Sequence, residues 1–226
     1  MGSPEPETAE SFFSASAEAY VRDRFAPEDD ALRRIRQVME AEGLPTIQLP
    51  AVTARAVQLL LRIAEARRVV EVGTLAGYSA LWIARALPDE SDGEAGLVTI
   101  EVDPARAALA RRLLAEAGVG GRVEVREGPA DIVLRSLGPD GSFDAILLDA
   151  DKEGLPSYVV EARRLLRPGG LLLVDNALWR GQVLDPAVTD PATEAIRRSH
   201  ENLRSDPAFD ATLLPVGDGL LVALRR

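Results

Sequence analysis

The chain has 226 residues, 46% of them hydrophobic and 27% charged, with 26 basic against 36 acidic side chains and a formal net charge of -10; that is the composition of one globular domain with a substantial core. The absence of cysteine removes thiol catalysis, disulfides and cysteine-held zinc, and a single histidine, His200, is too few for a zinc hydrolase. The acidic balance argues against a nucleic-acid partner, no apolar run approaches the roughly 18 residues of a membrane span, and the acidic opening MGSPEPETAE is unlike a signal peptide, so the cytoplasm is the expected compartment.

Residues 1 to 30 hold eight acids against Arg22 and Arg24, which reads as a solvated arm or a short leading helix. Between Pro27 and Gly43 the apolar positions Leu32, Ile35, Val38 and Met39 recur at spacings of three and four, as on one face of an amphipathic helix, and a second helix is expected over Thr53 to Ala66. From Arg67 onward short apolar runs alternate with helical patterns: RRVVEV, LVTIEV, RVEVRE, FDAILLD and LLLVD. This rhythm predicts an α/β fold whose mostly parallel central sheet has helices on both faces. Pro104 to Ala117 and Tyr158 to Leu166 read as intervening helices, the latter stopped by Arg-Pro-Gly-Gly. Phe209 to Leu224 reads as a C-terminal antiparallel hairpin turning at Gly217-Asp218-Gly219. Two regions follow, 1–44 as an N-terminal arm and helix serving dimerisation or the pocket, and 45–226 as the main domain.

In an open α/β sheet, ligands sit outside the carboxyl ends of the strands. The first strand ends in Glu71-Val72-Gly73-Thr74-Leu75-Ala76-Gly77-Tyr78-Ser79, where the glycine spacing departs from the G-x-G-x-x-G of a dinucleotide fold. A glycine turn with an acid just ahead suits a ligand bearing an ammonium group and no phosphates, as S-adenosylmethionine does. Glu101, at the end of the second strand, is placed to accept hydrogen bonds from two ribose hydroxyls.

The fourth strand ends in Asp149-Ala150-Asp151-Lys152 and the fifth in Asp175-Asn176. Asp149, Asp175 and Asn176 make an oxygen-only donor set that selects a hard cation, magnesium first, with manganese or calcium as alternatives. The competing reading is that each simply caps the next helix. Lys152 is the only lysine among the 26 basic residues. A lysine desolvated beside a cation can give up its proton, whereas an arginine cannot, so Lys152 is a candidate general base.

These residues resemble a known family. Glu71 to Leu81 (EVGTLAGYSAL), Phe143 to Lys152 (FDAILLDADK), Leu166 to Gly181 (LRPGGLLLVDNALWRG) and Leu213 to Leu220 (LLPVGDGL) are similar to the caffeoyl-CoA/catechol type of S-adenosylmethionine-dependent, metal-dependent O-methyltransferases, over about residue 45 to the end. The resemblance implies a Rossmann-like class I methyltransferase fold and a set of residue roles: Glu71, Gly73, Thr74, Ser79, Glu101 and Ala130 at the methyl donor, Asp149, Asp175 and Asn176 on the cation, Lys152 with Asp149 in catalysis, and Asp151 and Trp179 lining the acceptor pocket. It also implies a homodimer. The chain departs from the family where Gln48 is followed by Leu49-Pro50-Ala51-Val52-Thr53-Ala54 instead of Ser-Pro-Glu-x-Gly, in a segment that normally lies over the donor, and where His200 replaces an Asn.

The expected reaction is in-line methyl transfer to a hydroxyl of a catechol-like or natural-product acceptor, with the cation acidifying that hydroxyl and Lys152 taking its proton. Trp179 and Tyr78 are candidates to flank an aromatic ring, and no polybasic run offers purchase to a CoA tail. The rivals are a nicotinamide-dependent oxidoreductase on the same sheet, disfavoured by the missing glycine fingerprint, and a non-catalytic α/β binding protein, disfavoured by the intact donor loop and metal set.

Overall fold

A computed structural model describes residues 15–88 and 96–226; the first fourteen residues of the expected arm lie outside the described residues. Three helices lead, α1 (Ala15–Phe25), α2 (Asp30–Ala41) and α3 (Ala51–Ile63). The alternation expected from Arg67 onward then follows: β1 (Val69–Val72), α4 (Tyr78–Ala84), β2 (Leu97–Glu101), α5 (Pro104–Glu116), β3 (Val123–Glu127), α6 (Ala130–Ser136), β4 (Phe143–Leu148), α7 (Leu155–Leu165) and β5 (Leu166–Val174). Helix α8 (Pro191–Ser205) and the strands β6 (Phe209–Leu214) and β7 (Leu220–Arg225) complete the chain.

The strands form one sheet in the order β3-β2-β1-β4-β5-β7-β6. β1 to β5 pair in parallel, and β7 joins β5 and β6 antiparallel. Alternation within the strands divides the core. Val69, Leu97, Ala145, Leu147, Leu171 and Leu173 face a layer that includes α2 to α5, while Val70, Val72, Ile100, Ile146, Leu148 and Val174 face α6, α7 and α8. The spacing that marks α2 has its expected consequence, since Leu32, Ile35, Val38 and Met39 are all buried. Helix starts are fixed by short acidic caps: Asp29 accepts from Leu32 N, Asp103 from Ala105 N and Arg106 N, and Asp190 from Thr193 N, the last two ahead of a proline.

The Arg-Pro-Gly-Gly segment after α7 differs from expectation. The helix does stop, at Leu165, but β5 begins at once and runs through Arg167-Pro168-Gly169-Gly170. The register against β4 slips there, from Phe143↔Leu166 to Ala145↔Leu171. A proline lacks the N–H for a regular ladder, and the irregularity accommodates it.

Because the chain winds outward in both directions from β1 and β4, these two neighbours form the topological switch point, and the crevice at their carboxyl ends is where such a sheet presents its ligand site. Their amino ends are stitched by Asp144: Oδ2 accepts from the backbone N–H groups of Arg67 and Arg68, both at 2.8 Å, and Oδ1 accepts from Arg167 Nε at 2.6 Å. Although burial opposes it, these bonds hold the Asp144 carboxyl below the usual carboxylate range. A lowered native pKa means that the stabilisation is complete above the unfolded value of about 3.9 and is lost as the pH falls below it. Asp144→Ala is expected to cost about 1.5 to 3 kcal/mol at neutral pH, and the difference from the unsubstituted protein should shrink in acid. Denaturant titrations of both proteins at neutral pH and near pH 3 check this.

Candidate active site

Three loops meet at the switch point. The ladder continues past the strands, with Gly73 N donating to Ile100 O (3.0 Å), Asp149 N to Val72 O (2.9 Å) and Asp175 N to Leu148 O (3.1 Å). Residues after β1, β4 and β5 are therefore brought side by side.

Near the end of β1, Glu71 is fully buried. Its Oε2 accepts from Thr99 Oγ1 at 2.6 Å. With that proton committed, the Thr74 hydroxyl donates to Thr99 Oγ1, also at 2.6 Å. Burial pushes the Glu71 carboxyl up to about 7; hydrogen bonds from Ser79 and Thr99 pull it back, and the nearby charges of Asp149 and Glu101 push further. The second oxygen, Oε1, is buried with no hydrogen-bond partner. An unsatisfied buried carboxylate oxygen is the acceptor that a ligand ammonium or amide requires.

Gly73 has φ +98°, and a Cβ there would lie 2.0 Å from the Asp149 carbonyl oxygen. Its glycine character thus answers first to the close approach of two backbones. Leu75 adopts a left-handed φ of 52° and donates its N–H to Glu101 Oε2 at 2.8 Å, while Asp103 N donates to Glu101 Oε1 at 3.0 Å. Each Glu101 oxygen retains acceptor capacity beyond these bonds. Ala130 opens α6 beyond β3, partly buried against the α6–α8 layer.

After β4 and β5 come Asp149, with its side chain 16% exposed, and Asp175, which is buried. Burial and then the Asp149 charge push the Asp175 carboxyl up to about 7, the Asn176 backbone N–H and Lys152 opposing, and Asp218 adding to the rise. Burial raises Asp149 too, against the pull of Lys152. The lysine is 7% exposed, with Nζ 3.6 Å from Asp149 Oδ1 and donating to the Asp175 carbonyl at 3.4 Å. It also lies 5.9 Å from the centre of the Trp179 ring. Asn176 follows at φ 55°.

Among the described residues no three His, Cys, Asp or Glu side chains form a group that could hold a metal. A cation here would take two carboxylates and the Asn176 amide oxygen. Asp175 Oδ1 is buried without a hydrogen-bond partner, beside a second carboxylate and a single ammonium, and this oxygen-only set fits a hard cation.

Several expected residues have protein partners of their own. Tyr78, a candidate to flank an aromatic acceptor, is buried in the core between α2 and α4, and its hydroxyl donates to Glu28 Oε1 at 2.7 Å. Asp151 is exposed, accepting from Tyr158 OH (2.7 Å) and Gly154 N (2.9 Å) at the start of α7. His200 lines a depression of about 320 Å³ with Leu178, Val183 and Leu213, apart from the Lys152 group. Arg55, Arg62, Arg85 and Arg122 do gather around a cleft of about 610 Å³, but beside residues that precede β2 and β3, at the opposite end of the sheet from Lys152.

Sequence reasoning missed Thr99, Glu28 and Asp218. Thr99 is a mid-strand threonine in an otherwise apolar run, and Glu28 is hidden within the acidic arm. Asp218 stands between two glycines and reads as an ordinary turn residue, yet its Oδ1 accepts from Arg180 N at 2.7 Å.

The sheet order, the glycine turn after β1 and the acids at the ends of β1 and β2 define a Rossmann-like class I S-adenosylmethionine-dependent methyltransferase. Residues 22–226 match the O-methyltransferase family model, and the chain belongs to that family. It is 38% identical over 216 residues to a catechol O-methyltransferase of Niastella koreensis, covering 92% of this chain and 96% of that one. Among solved structures it resembles an O-methyltransferase from Bacillus cereus in complex with SAH, at a TM-score of 0.86 and 36% identity over 93% of this chain and 97% of the other. It also resembles TomG from Streptomyces achromogenes, an O-methyltransferase of tomaymycin synthesis in complex with SAM, at 0.84 and 38% over 93% and 96%.

The Gly73 contact leads to a direct test. Gly118 also has a positive φ, +76°, but a Cβ there would meet nothing within 4 Å. Gly118→Ala is expected to cost about 1 to 3 kcal/mol for backbone strain alone. Gly73→Ala should cost more than this and weaken S-adenosylmethionine binding, because the β1 and β4 ends must separate. Parallel melting curves and donor titrations of the two variants measure the difference.

Proposed function

We propose that the protein is a divalent-cation-dependent O-methyltransferase acting on one of two adjacent hydroxyls of a small phenolic or natural-product acceptor. The observation that carries this reading is the placement of the only lysine, buried between the Asp149 carboxylate and the Asp175 carbonyl, next to a buried Asp175 oxygen that lacks any partner. The names of the catechol O-methyltransferase of Niastella koreensis and of TomG support a small-molecule acceptor of this kind.

In this reading Glu71, Gly73, Thr74, Ser79, Glu101 and Ala130 form the donor site. Glu71 supplies the free oxygen to a hydrogen-bond donor of the ligand, and Glu101 accepts from ribose hydroxyls with its remaining capacity. Thr74 and Gly73 act mainly by shaping the loop, since the Thr74 hydroxyl is spent on Thr99. Asp149, Asp175 and Asn176 hold the cation, magnesium before manganese or calcium. When bound, S-adenosylmethionine supplies an electrophilic methyl group and the cation lowers the pKa of a coordinated hydroxyl. Lys152 accepts the proton as the O–CH3 bond forms and the S–CH3 bond breaks, leaving the methyl ether and S-adenosylhomocysteine. Trp179, with Lys152 against its ring, offers an aromatic wall, and Asp151 borders the mouth.

The test is methyl transfer to a panel of catechols with magnesium, read by mass spectrometry as the gain of one CH2. Chelation should abolish transfer and magnesium restore it, with the fold unchanged. Lys152→Arg and Lys152→Ala should each lose about 100- to 10,000-fold in turnover while binding the donor as before. Full turnover after exhaustive chelation removes the metal from the reaction; full turnover of Lys152→Arg removes the base.

We also propose a symmetric homodimer built on the 1–44 region. Helix α1 buries none of its residues within one chain, while Tyr20 and Phe25 on it and Leu59 and Ile63 on the neighbouring α3 are exposed. Apolar side chains clustered on adjacent helices favour burial against a second copy. Light scattering at micromolar concentration should give twice the chain mass; a monomer mass rejects the dimer.

A further inference from the structure

The turn after β5 carries Asn176 and Trp179 in a conformation that ordinary side chains resist. Asn176 (φ 55°), Trp179 (φ 49°) and Arg180 (φ 54°) all occupy the left-handed region, followed by Gly181 at φ 80°. Three such non-glycine residues within five positions disfavour this turn on its own, so surrounding structure must impose it. Two bonds lie within the turn, Trp179 N to Asn176 O (3.0 Å) and Gly181 N to Leu178 O (2.9 Å).

Three more come from the β6–β7 hairpin. Ala177 N donates to Gly219 O at 2.9 Å, Leu178 N to Asp218 O at 2.8 Å, and Arg180 N to Asp218 Oδ1 at 2.7 Å. The hairpin comes this close because position 219 is glycine: a Cβ there would lie 2.7 Å from Leu178 Cγ and 2.9 Å from Leu178 N. On its other side it is seated against α3, since a Cβ on Gly217 would lie 2.5 Å from Thr53 Oγ1. An aspartate between two glycines is usually a turn residue bonding to its own loop. Here Oδ1 reaches a backbone amide 38 residues away, and the same residue's carbonyl holds Leu178.

We propose that Asp218 is a positioning residue for methyl transfer: its carboxylate, bonded to the Arg180 amide, fixes the left-handed turn 176–181 and thereby aims Asn176 and Trp179 at the acceptor side of the site. This rests on the cation-dependent reading given above. Asp218 acts through the Arg180 amide and belongs to neither the donor loop nor the cation ligands. Its loss should therefore leave the donor site intact and loosen the acceptor side.

The experiment compares Asp218→Ala and Asp218→Asn with the unsubstituted enzyme, by hydrogen–deuterium exchange over residues 176–184 and by steady-state kinetics with magnesium and a catechol. In Asp218→Ala the exchange of this segment should quicken and the acceptor KM rise, each by about tenfold for one lost charge-assisted bond, with donor affinity within about twofold. Asp218→Asn keeps an acceptor oxygen and should recover most of both. If Asp218→Ala fails to fold, Asp218→Ser, which retains turn preference with a hydroxyl too short to reach, takes its place. Unchanged exchange, an unchanged acceptor KM, or no recovery by Asp218→Asn overturns the assignment. An unsubstituted enzyme that transfers no methyl group overturns the functional reading and this assignment with it, whereas an active enzyme with an indifferent Asp218→Ala overturns this assignment alone.

Discussion

Glu71, Asp149 and Asp175 are brought together at the carboxyl ends of β1, β4 and β5 with little or no access to water, in a chain that already carries a net charge of -10. Removing carboxylates from water is unfavourable unless each is paired or hydrogen-bonded. Among the described residues the one buried cation is Lys152, 3.6 Å from Asp149, and Glu71 and Asp175 each keep an oxygen with no partner. The response is written in their acidity, since burial drives Glu71 and Asp175 up to about 7. A site arranged for stability alone would not collect these groups, and strongly perturbed acids in a crevice are a mark of function.

The same region concentrates backbone strain. Of the five non-glycine residues with positive φ among the described residues, Leu75 follows β1 and Asn176, Trp179 and Arg180 follow β5, with Glu65 at the end of α3 the remaining one. At the switch point the chain must leave two adjacent strands in opposite directions while holding its polar groups toward one another. The Gly73 contact with the Asp149 carbonyl expresses the same crowding. Strain of this kind persists only where neighbouring structure over-determines it.

That over-determination comes from distant parts of the chain. Beside the loop after β1, Glu28 accepts from Tyr78 and from Arg36 (2.8 Å), while Asp29 pairs with Arg85 on the far end of α4 at 2.6 Å. The segment before α2 is thus fastened to α4, the helix that follows the glycine turn after β1. At the other end of the cluster, the hairpin of β6 and β7 grips the turn after β5. The antiparallel end of the sheet therefore serves to support a loop, while the parallel strands supply the loops that carry the proposed chemistry.

The order of strands and helices was legible in the sequence because buried parallel strands read as unbroken apolar runs and amphipathic helices as a three-and-four spacing, both local properties of the chain. The nearness of Asp149 to Asp175 was legible for the same reason: residues immediately after strands share one edge of a parallel sheet whatever the details of packing. The sequence could not assign Thr74 its hydroxyl partner, bury Tyr78 in the core against Glu28, or draw β5 back through Arg-Pro-Gly-Gly. Nor could it reveal that Asp218 holds Arg180 or that Glu28 holds Tyr78. Each of these depends on two segments that are remote in sequence meeting at a particular distance and angle, and such meetings are decided only when the two layers pack against the sheet.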